Sequence, residues 1–328
     1  MRRAVKKNTE QQHIGYGKVI LFGEHFVVYG AEALVAGITE YTACRLELLC
    51  GQPGFTVVDR RPAVPGYITA KAEEQRHAHA LVLRHLKIDT SVDGLRIHLG
   101  GPLVPSSGIG ASASDVVSLS RALSEMYGLR LSEEEVNRSA YVGEAGYHGT
   151  PSGVDNTAAT FGGLISYRRE GRKPIFSRVP VTAPLFLVVC STGITASTTK
   201  VVGEVRQLKM AKPEWFADLL ERYNRCVREA KLAVECGDMK RVGELLNENH
   251  TLCQQLTVSC PELDTIVTFC RENGALGAKM SGTGRGGLAI ALAADEAQRD
   301  RIADALTRRC PAAKFVWKYS VLPRAAKL

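Results

Sequence analysis

The sequence has no apolar run long enough to cross a bilayer; its clearest one, Pro184 to Cys190, has the length of a strand. It has no secretory core either, because the basic start at Arg2, Arg3, Lys6 and Lys7 runs into polar Asn8 to His13. No C-x-x-C pair occurs among its nine cysteines, which argues against a zinc site or a redox motif. Cys44, Cys50, Cys190, Cys226, Cys236, Cys253, Cys260, Cys270 and Cys310 mostly fall in apolar-periodic segments and are expected to be buried, reduced thiols. Aromatic residues are only 6%, so stacking positions for a single-stranded nucleic acid are sparse. Acidic residues are outnumbered 34 to 42 by Lys and Arg, but the resulting net charge of +8 is scattered rather than gathered in a stripe. Scattered positive charge suits anionic small substrates, whose local concentration it raises.

There is enough apolar residue, 45% of 328, for a large core, and the length fits two domains. With neither repeats nor a low-complexity linker, the boundary is expected near Pro180 to Pro184, giving domains of 1–182 and 183–328.

Lys18 to Phe22 reads as a short buried strand, interrupted by Gly23-Glu24-His25 and resumed over Phe26 to Tyr29 before Gly30. A β-rich stretch follows through Cys50, with a turn at Gln52-Pro53-Gly54. Lys71 to His85 has helical spacing, and Leu95 to Leu99 alternates as a strand. Ala113 to Tyr127 is helical and stops at Gly128; Ser132 and Glu135 form a capping-box pattern for the next helix. Pro184 to Cys190 reads as a central strand. Amphipathic helices are expected over Glu214 to Cys236, Asp238 to Leu256 and Pro261 to Glu272. Two strands flank a glycine loop, Ser281 to Gly287, and a helix (Asp295 to Arg309) and a strand (Lys314 to Val321) follow.

The segment Pro105-Ser106-Ser107-Gly108-Ile109-Gly110-Ala111-Ser112-Ala113-Ser114 opens into a helix. Its glycines let backbone approach an anion, and the helix start adds unpaired N–H groups and a positive dipole end. No Lys-Ser/Thr follows the last glycine, so this is not a Walker loop; the third glycine of a dinucleotide fingerprint is also missing. A Ser-capped helix after a flexible loop is the plainer alternative. Asp115 is awkward beside phosphates and has a helix-capping role open to it.

Two carboxylates stand out. Val136, Ala140, Gly143 and Tyr147 mark an inward helical stripe, and Glu144 lies on or beside it. A buried carboxylate needs a partner, either a divalent metal or a buried Arg or Lys. Pro151-Ser152-Gly153 marks a helix entry that puts Asp155 in a first turn, where an acidic residue also simply complements the helix dipole.

Three segments in this order resemble the GHMP superfamily of galactokinase, homoserine kinase, mevalonate kinase and phosphomevalonate kinase. They are Gly17-Lys18-Val19-Ile20-Leu21-Phe22-Gly23-Glu24-His25, the loop from Pro105 to Ser114, and Lys279-Met280-Ser281-Gly282-Thr283-Gly284-Arg285-Gly286-Gly287. Lys18, Glu24-His25, Gly143-Glu144 and the stretch from His148 to Asn156 are most similar to the mevalonate kinases. The resemblance implies an α+β, two-domain fold, with a ribosomal-protein-like N-terminal domain, a ferredoxin-like C-terminal domain and an active site between them. It implies ATP- and Mg²⁺-dependent phosphorylation of (R)-mevalonate in isoprenoid precursor synthesis. Asp155 would be the catalytic carboxylate, as base or as orienter of the hydroxyl, with Lys18 beside it neutralising the phosphoryl group. Pro105, Ser106, Ser107, Gly108, Ile109, Gly110, Ala111 and Ser112 would wrap the ATP phosphates, and Gly282, Thr283 and Gly284 would close over them. Ser112 and Glu144 would bind Mg²⁺. Lys18, Glu24, His25, Asp155, Tyr167 and Thr195 would contact mevalonate.

Two departures from the family pattern stand in the loops. Ala111-Ser112 replaces a common pair of serines, and Arg285 stands where small residues are usual, reaching either a phosphate or solvent. The alternatives are another acceptor within the superfamily, or a nucleotide- or RNA-binding protein on the same fold; the set Lys18, Ser112, Glu144 and Asp155 favours catalysis. Neither a nucleic-acid nor a membrane partner is expected, and monomer and homodimer both stay open. Ala326-Lys327-Leu328 is close to a Ser-Lys-Leu peroxisomal address, which points to a peroxisome or glycosome, with the cytoplasm as alternative.

Overall fold

The computed structural model describes residues 5–63, 65–105, 108–149, 151–171 and 173–323. Ser106 and Ser107 of the glycine loop and the tripeptide Ala326-Lys327-Leu328 lie outside them. The architecture is α+β, with two sheets and flanking helices, as expected.

The chain forms two compact units that a single cut does not separate. One comprises the chain up to Lys18 with Glu40–Gly162, the other Val19–Thr39 with Gly163 onward. These units do not coincide with the expected division at 182–183, and strand pairing gives the reason. The chain changes unit inside β1 (His13–Phe22) and inside β2 (Ala33–Leu49). The start of β2, Ala33 to Gly37, pairs antiparallel with the later strand β5 (Gly163–Glu170), which turns back into β6 (Lys173–Val179). The end of β2, Ala43 to Leu49, pairs antiparallel with β4 (Gly94–Gly100), which runs parallel to β3 (Phe55–Asp59).

In the first unit four helices accompany these strands: α1 (Tyr67–His85), α2 (Ala111–Met126), α3 (Glu133–His148) and α4 (Val154–Phe161). The Ser132–Glu135 capping box starts α3 as read. Val82 of α1, Val116, Val117 and Leu123 of α2 and Val136 and Ala140 of α3 bury their apolar faces with Leu46, Leu95 and Ile97 of the sheet. Each fully buried side chain of this size stabilises the fold by ~1.5–3 kcal/mol. Glycine brings α3 close to its neighbours. A Cβ at Gly143 would meet Val82 at 2.7 Å and Val116 at 2.8 Å, and one at Gly146 would meet the Ala78 backbone at 2.4 Å.

In the second unit β7 (Leu185–Ser191), β8 (Gly277–Ser281), β9 (Leu288–Ala293) and β10 (Phe315–Val321) form an antiparallel sheet in the order β10-β7-β9-β8. Thus β7 is interior, as its apolar run predicts. The helices are α5 (Thr198–Ala211), α6 (Pro213–Cys236), α7 (Met239–Gln255), α8 (Pro261–Glu272) and α9 (Glu296–Arg309). Local chemistry sets several ends: Pro213 and Pro261 open α6 and α8, Asp238 and Asp295 cap α7 and α9, and left-handed Gly237 closes α6.

One expected strand is not a strand. Phe26–Tyr29 is a 3₁₀ turn, bounded by His25 at φ 57° and Gly30 at φ 87°. An apolar run of four residues does not distinguish strand from turn. Here Phe26 stacks on Tyr223, with ring centroids 4.3 Å apart, in the interior of the second unit. Six of the nine cysteines are buried and none is bonded to another. No helix among the described residues is long and apolar enough to cross a membrane.

Candidate active site

The first unit gathers Lys18, Gly110, Ser112, Glu144 and Asp155. Lys18 lies within β1, and its amide donates to the Ile109 carbonyl at 2.8 Å, which fixes the strand against the glycine loop. Gly110 is the residue before α2, at φ 73°, and a Cβ there would meet Lys18 Cγ at 2.7 Å. Only glycine fits both the backbone conformation and the space. The N-terminal amides of α2 are thus presented beside the Lys18 side chain, an arrangement suited to a phosphate. No side chain caps this helix start, so the Ser-cap alternative does not hold.

The Lys18 ammonium lies 3.0 Å from Asp155 Oδ1. Lys18 is 4% exposed, whereas the Asp155 side chain keeps 30% of its surface. Asp155 stands in the first turn of α4 behind left-handed Gly153, as Pro151-Ser152-Gly153 predicts. The pair is therefore a buried cation under a carboxylate that a substrate can touch.

Glu144 is 1% exposed, and its Oε1 has no hydrogen-bond partner. No Lys or Arg of the described residues lies within ion-pair distance; His148 Nε2, at 3.9 Å, is the nearest basic group. Burial, and then the charge of Asp155, push the Glu144 carboxyl up to about 8, against the pull of the Ser112 hydroxyl and Lys18. Ser112 also meets His148 Nε2 at 3.1 Å. Burial lowers the His148 pKa, so it is a poor counter-ion for Glu144. Of the two partners open to this carboxylate, a paired Arg or Lys is absent among the described residues. An orphaned carboxylate oxygen and an adjacent hydroxyl are oxygen donors of the kind a hard divalent cation takes. Among the described residues no group of three or more His, Cys, Asp or Glu could hold a metal, so a cation here would draw further ligands from phosphate or water.

Asp115 does not cap the helix, and its role was missed in the sequence. It is fully buried and accepts hydrogen bonds from Tyr147 Oη (2.7 Å) and Gln75 Nε2 (2.9 Å), with His79 Nε2 at 2.9 Å. Arg61 donates to Asp59, Thr42 and the Ala111 carbonyl beside it. These residues come from five segments, and no local pattern announces the network.

The second unit holds the remaining candidates. Glu24 has no exposed side-chain surface; its carboxylate is paired with the Lys279 ammonium, which also donates to the Met280 carbonyl at 2.6 Å. A buried carboxylate needs a cation, and Lys279 supplies it to one oxygen of Glu24, while Oε2 has no hydrogen-bond partner. His25 Nε2 lies 2.7 Å from the Thr283 carbonyl and Ser281 donates to the Ile20 carbonyl at 2.9 Å, so with the Glu24–Lys279 pair three contacts tie the third glycine loop to the segment around Gly23. Gly282 and Gly284 both have positive φ, and a Cβ at Gly284 would meet the Val258 carbonyl at 1.9 Å. Thr195 is exposed, next to Ile194, which packs on Gly286. Tyr167 is buried in β5, 1% exposed, and offers a substrate no open surface here. Arg285 neither reaches out for a phosphate nor points freely to solvent: it pairs with Glu204 and donates to the Thr257 carbonyl.

Comparison with known proteins gives the family. Residues 75–163 match the model of the GHMP kinases N terminal domain, and residues 227–312 that of the GHMP kinases C terminal. The curated mevalonate kinase of Aeropyrum pernix is 36% identical over 299 residues, 89% of each chain. The crystal structure of L. major mevalonate kinase in complex with R-mevalonate is 60% identical, covers 99% of this chain and 100% of its own, and superposes with a TM-score of 0.97. The Methanococcus jannaschii mevalonate kinase, 22% identical with a TM-score of 0.76, shares the fold. By these matches the chain belongs to the mevalonate kinase family of the GHMP kinases.

Proposed function

We propose that this chain transfers the γ-phosphoryl group of ATP to the primary hydroxyl of (R)-mevalonate, releasing ADP and 5-phosphomevalonate. The observation that carries the reading is the Lys18–Asp155 pair at 3.0 Å, set beside the start of α2, where no side chain caps Gly110. The 60% identity to a mevalonate kinase that binds R-mevalonate supports the choice of acceptor.

Phosphoryl transfer needs little covalent help and much positioning and charge neutralisation. Gly108 to Ser112 and the N-terminal dipole of α2 bind the phosphates. Asp155 accepts a hydrogen bond from the acceptor hydroxyl, aims its oxygen, and takes its proton as the new P–O bond forms. Lys18 compensates the charge that builds on the phosphoryl oxygens. Glu144 and Ser112 would hold Mg²⁺, and their donor set fits it. When bound, Mg²⁺ supplies charge neutralisation of the ATP phosphates. Glu24 acts through Lys279 rather than on the substrate, holding the third glycine loop in shape.

ADP release with (R)-mevalonate, a phosphorylated mevalonate and a sugar panel, each with and without Mg²⁺, tests the reading. Turnover restricted to mevalonate and to the Mg²⁺ arm is expected. Preference for the phosphorylated acceptor or a sugar would sink it.

A further inference from the structure

The buried Asp115 network lies outside the reaction just described, yet it sits beside both candidate metal ligands. Helices α2 and α3 run antiparallel: Ser112 meets His148, Asp115 meets Tyr147, and Ser120 meets Ser139. Asp115 follows Ser112 by three residues on α2, and Tyr147 follows Glu144 by three on α3. Residues three apart lie on one helix face, about one turn from each other. The Tyr147–Asp115 hydrogen bond, at 2.7 Å, therefore bridges the same two helix faces that carry Ser112 and Glu144.

We infer that Asp115 and Tyr147 are positioning residues: their hydrogen bond is a strut that sets the separation of Ser112 and Glu144 and so the affinity of that pair for a divalent cation. The inference rests on the metal reading given above. Three features make the strut stiff. Asp115 is anchored to α1 by Gln75 and His79 as well as to α3, so it has no second position of equal quality. Arg61 holds Ala111, the residue before Ser112, by its carbonyl, and is itself fixed by Asp59. Gly143 and Gly146 let α3 approach closely, so any loosening must occur at the polar contact rather than by rotamer changes in the core. Burial alone would push the Asp115 carboxyl up, but His79, Arg61 and Tyr147 outweigh it and hold it at about 2, so the carboxylate accepts hydrogen bonds throughout the working pH range. Groups that orient metal ligands from behind change metal affinity by ~10–100-fold when removed.

The test is Mn²⁺ binding, measured by electron paramagnetic resonance of the full chain with a non-hydrolysable ATP analogue. Tyr147→Phe removes one hydroxyl and keeps the ring. It should weaken Mn²⁺ binding by about tenfold while the KM for mevalonate stays within about twofold. Ser139→Ala is the comparison variant. It also removes a hydrogen bond between α2 and α3, the 2.9 Å contact with Ser120, but far from Ser112, and should leave Mn²⁺ binding unchanged. Equal losses in the two variants, or wild-type affinity in Tyr147→Phe, would overturn the strut. Gln75→Met removes a different hydrogen bond to the same carboxylate. It must weaken Mn²⁺ binding in the same direction, and an unshifted value also overturns the proposal. If the wild type itself binds no Mn²⁺ with the analogue, the metal reading fails and the strut fails with it; wild-type binding with unchanged variants refutes the strut alone.

Discussion

Gly110 and Lys18 are fitted to each other: a β-carbon on the first would lie 2.7 Å from Cγ of the second, and the backbone at Gly110 is left-handed. Gly110→Ala must either strain the loop or push the Lys18 stem away from Asp155. Strain of this kind costs ~1–3 kcal/mol. Urea melts should show a loss of that order, together with a fall in kcat/KM of at least about tenfold, since 1.4 kcal/mol of misplaced transition-state contact is tenfold. A variant with normal stability and kinetics would show that the loop and Lys18 are not coupled.

Asp155→Asn keeps the shape of the side chain and removes its negative charge. The expected fall in kcat is on the order of 10²–10⁴, with the KM for ATP little changed, because the phosphates are held by the α2 amides and not by Asp155. Single-turnover phosphate transfer measures this directly. Near-normal turnover would remove Asp155 from the mechanism.

Glu144 makes the metal-free protein sensitive to pH. Its carboxyl titrates at about 8 when folded, against 4.5 ordinarily, so between these values the folded chain holds a proton that the unfolded chain has lost. Stability must therefore fall as pH rises from about 4.5 to 8, by at most ~1.4 kcal/mol per pH unit. Thermal melts without divalent cations should show this slope, and Glu144→Gln should flatten it. A slope that survives in Glu144→Gln would mean that the carboxyl is ionised in the folded protein.

The buried pair of Glu24 and Lys279 predicts a stability pattern that a substrate ligand would not. Lys279→Met leaves a carboxylate buried without a cation, at a cost of ~3–5 kcal/mol. Glu24→Gln combined with Lys279→Met removes both charges and should recover most of that loss. Chemical denaturation of the single and double variants checks the pattern. Additive losses would show that the two side chains do not depend on each other.

Much of this was legible because it is local. The Ser132–Glu135 capping box, the Pro and Gly ends of the long helices and the entry of Asp155 behind Gly153 are each written within a few residues. The burial of Glu144 also follows from helical periodicity alone. What stayed hidden is what the chain closes over distance. Asp115 looked like a capping residue until Gln75, His79 and Tyr147, remote in sequence, converged on it. Phe26 to Tyr29 looked like a strand because an apolar tetrapeptide carries no period, and its partner Tyr223 lies far along the chain. Arg285 gave no sign of Glu204, and Glu24 none of Lys279.

The three places where the chain changes unit, at Lys18–Val19, Thr39–Glu40 and Gly162–Gly163, have a practical consequence. There is no linker to cut. A gene split at residue 182 would yield a C-terminal fragment without Glu24 and Phe26, leaving Lys279 an uncompensated buried cation and Tyr223 without its stacking partner. Neither half can be expected to fold alone, so co-expressed fragments must regain activity only on association, and a limited protease should find no site that releases one unit intact.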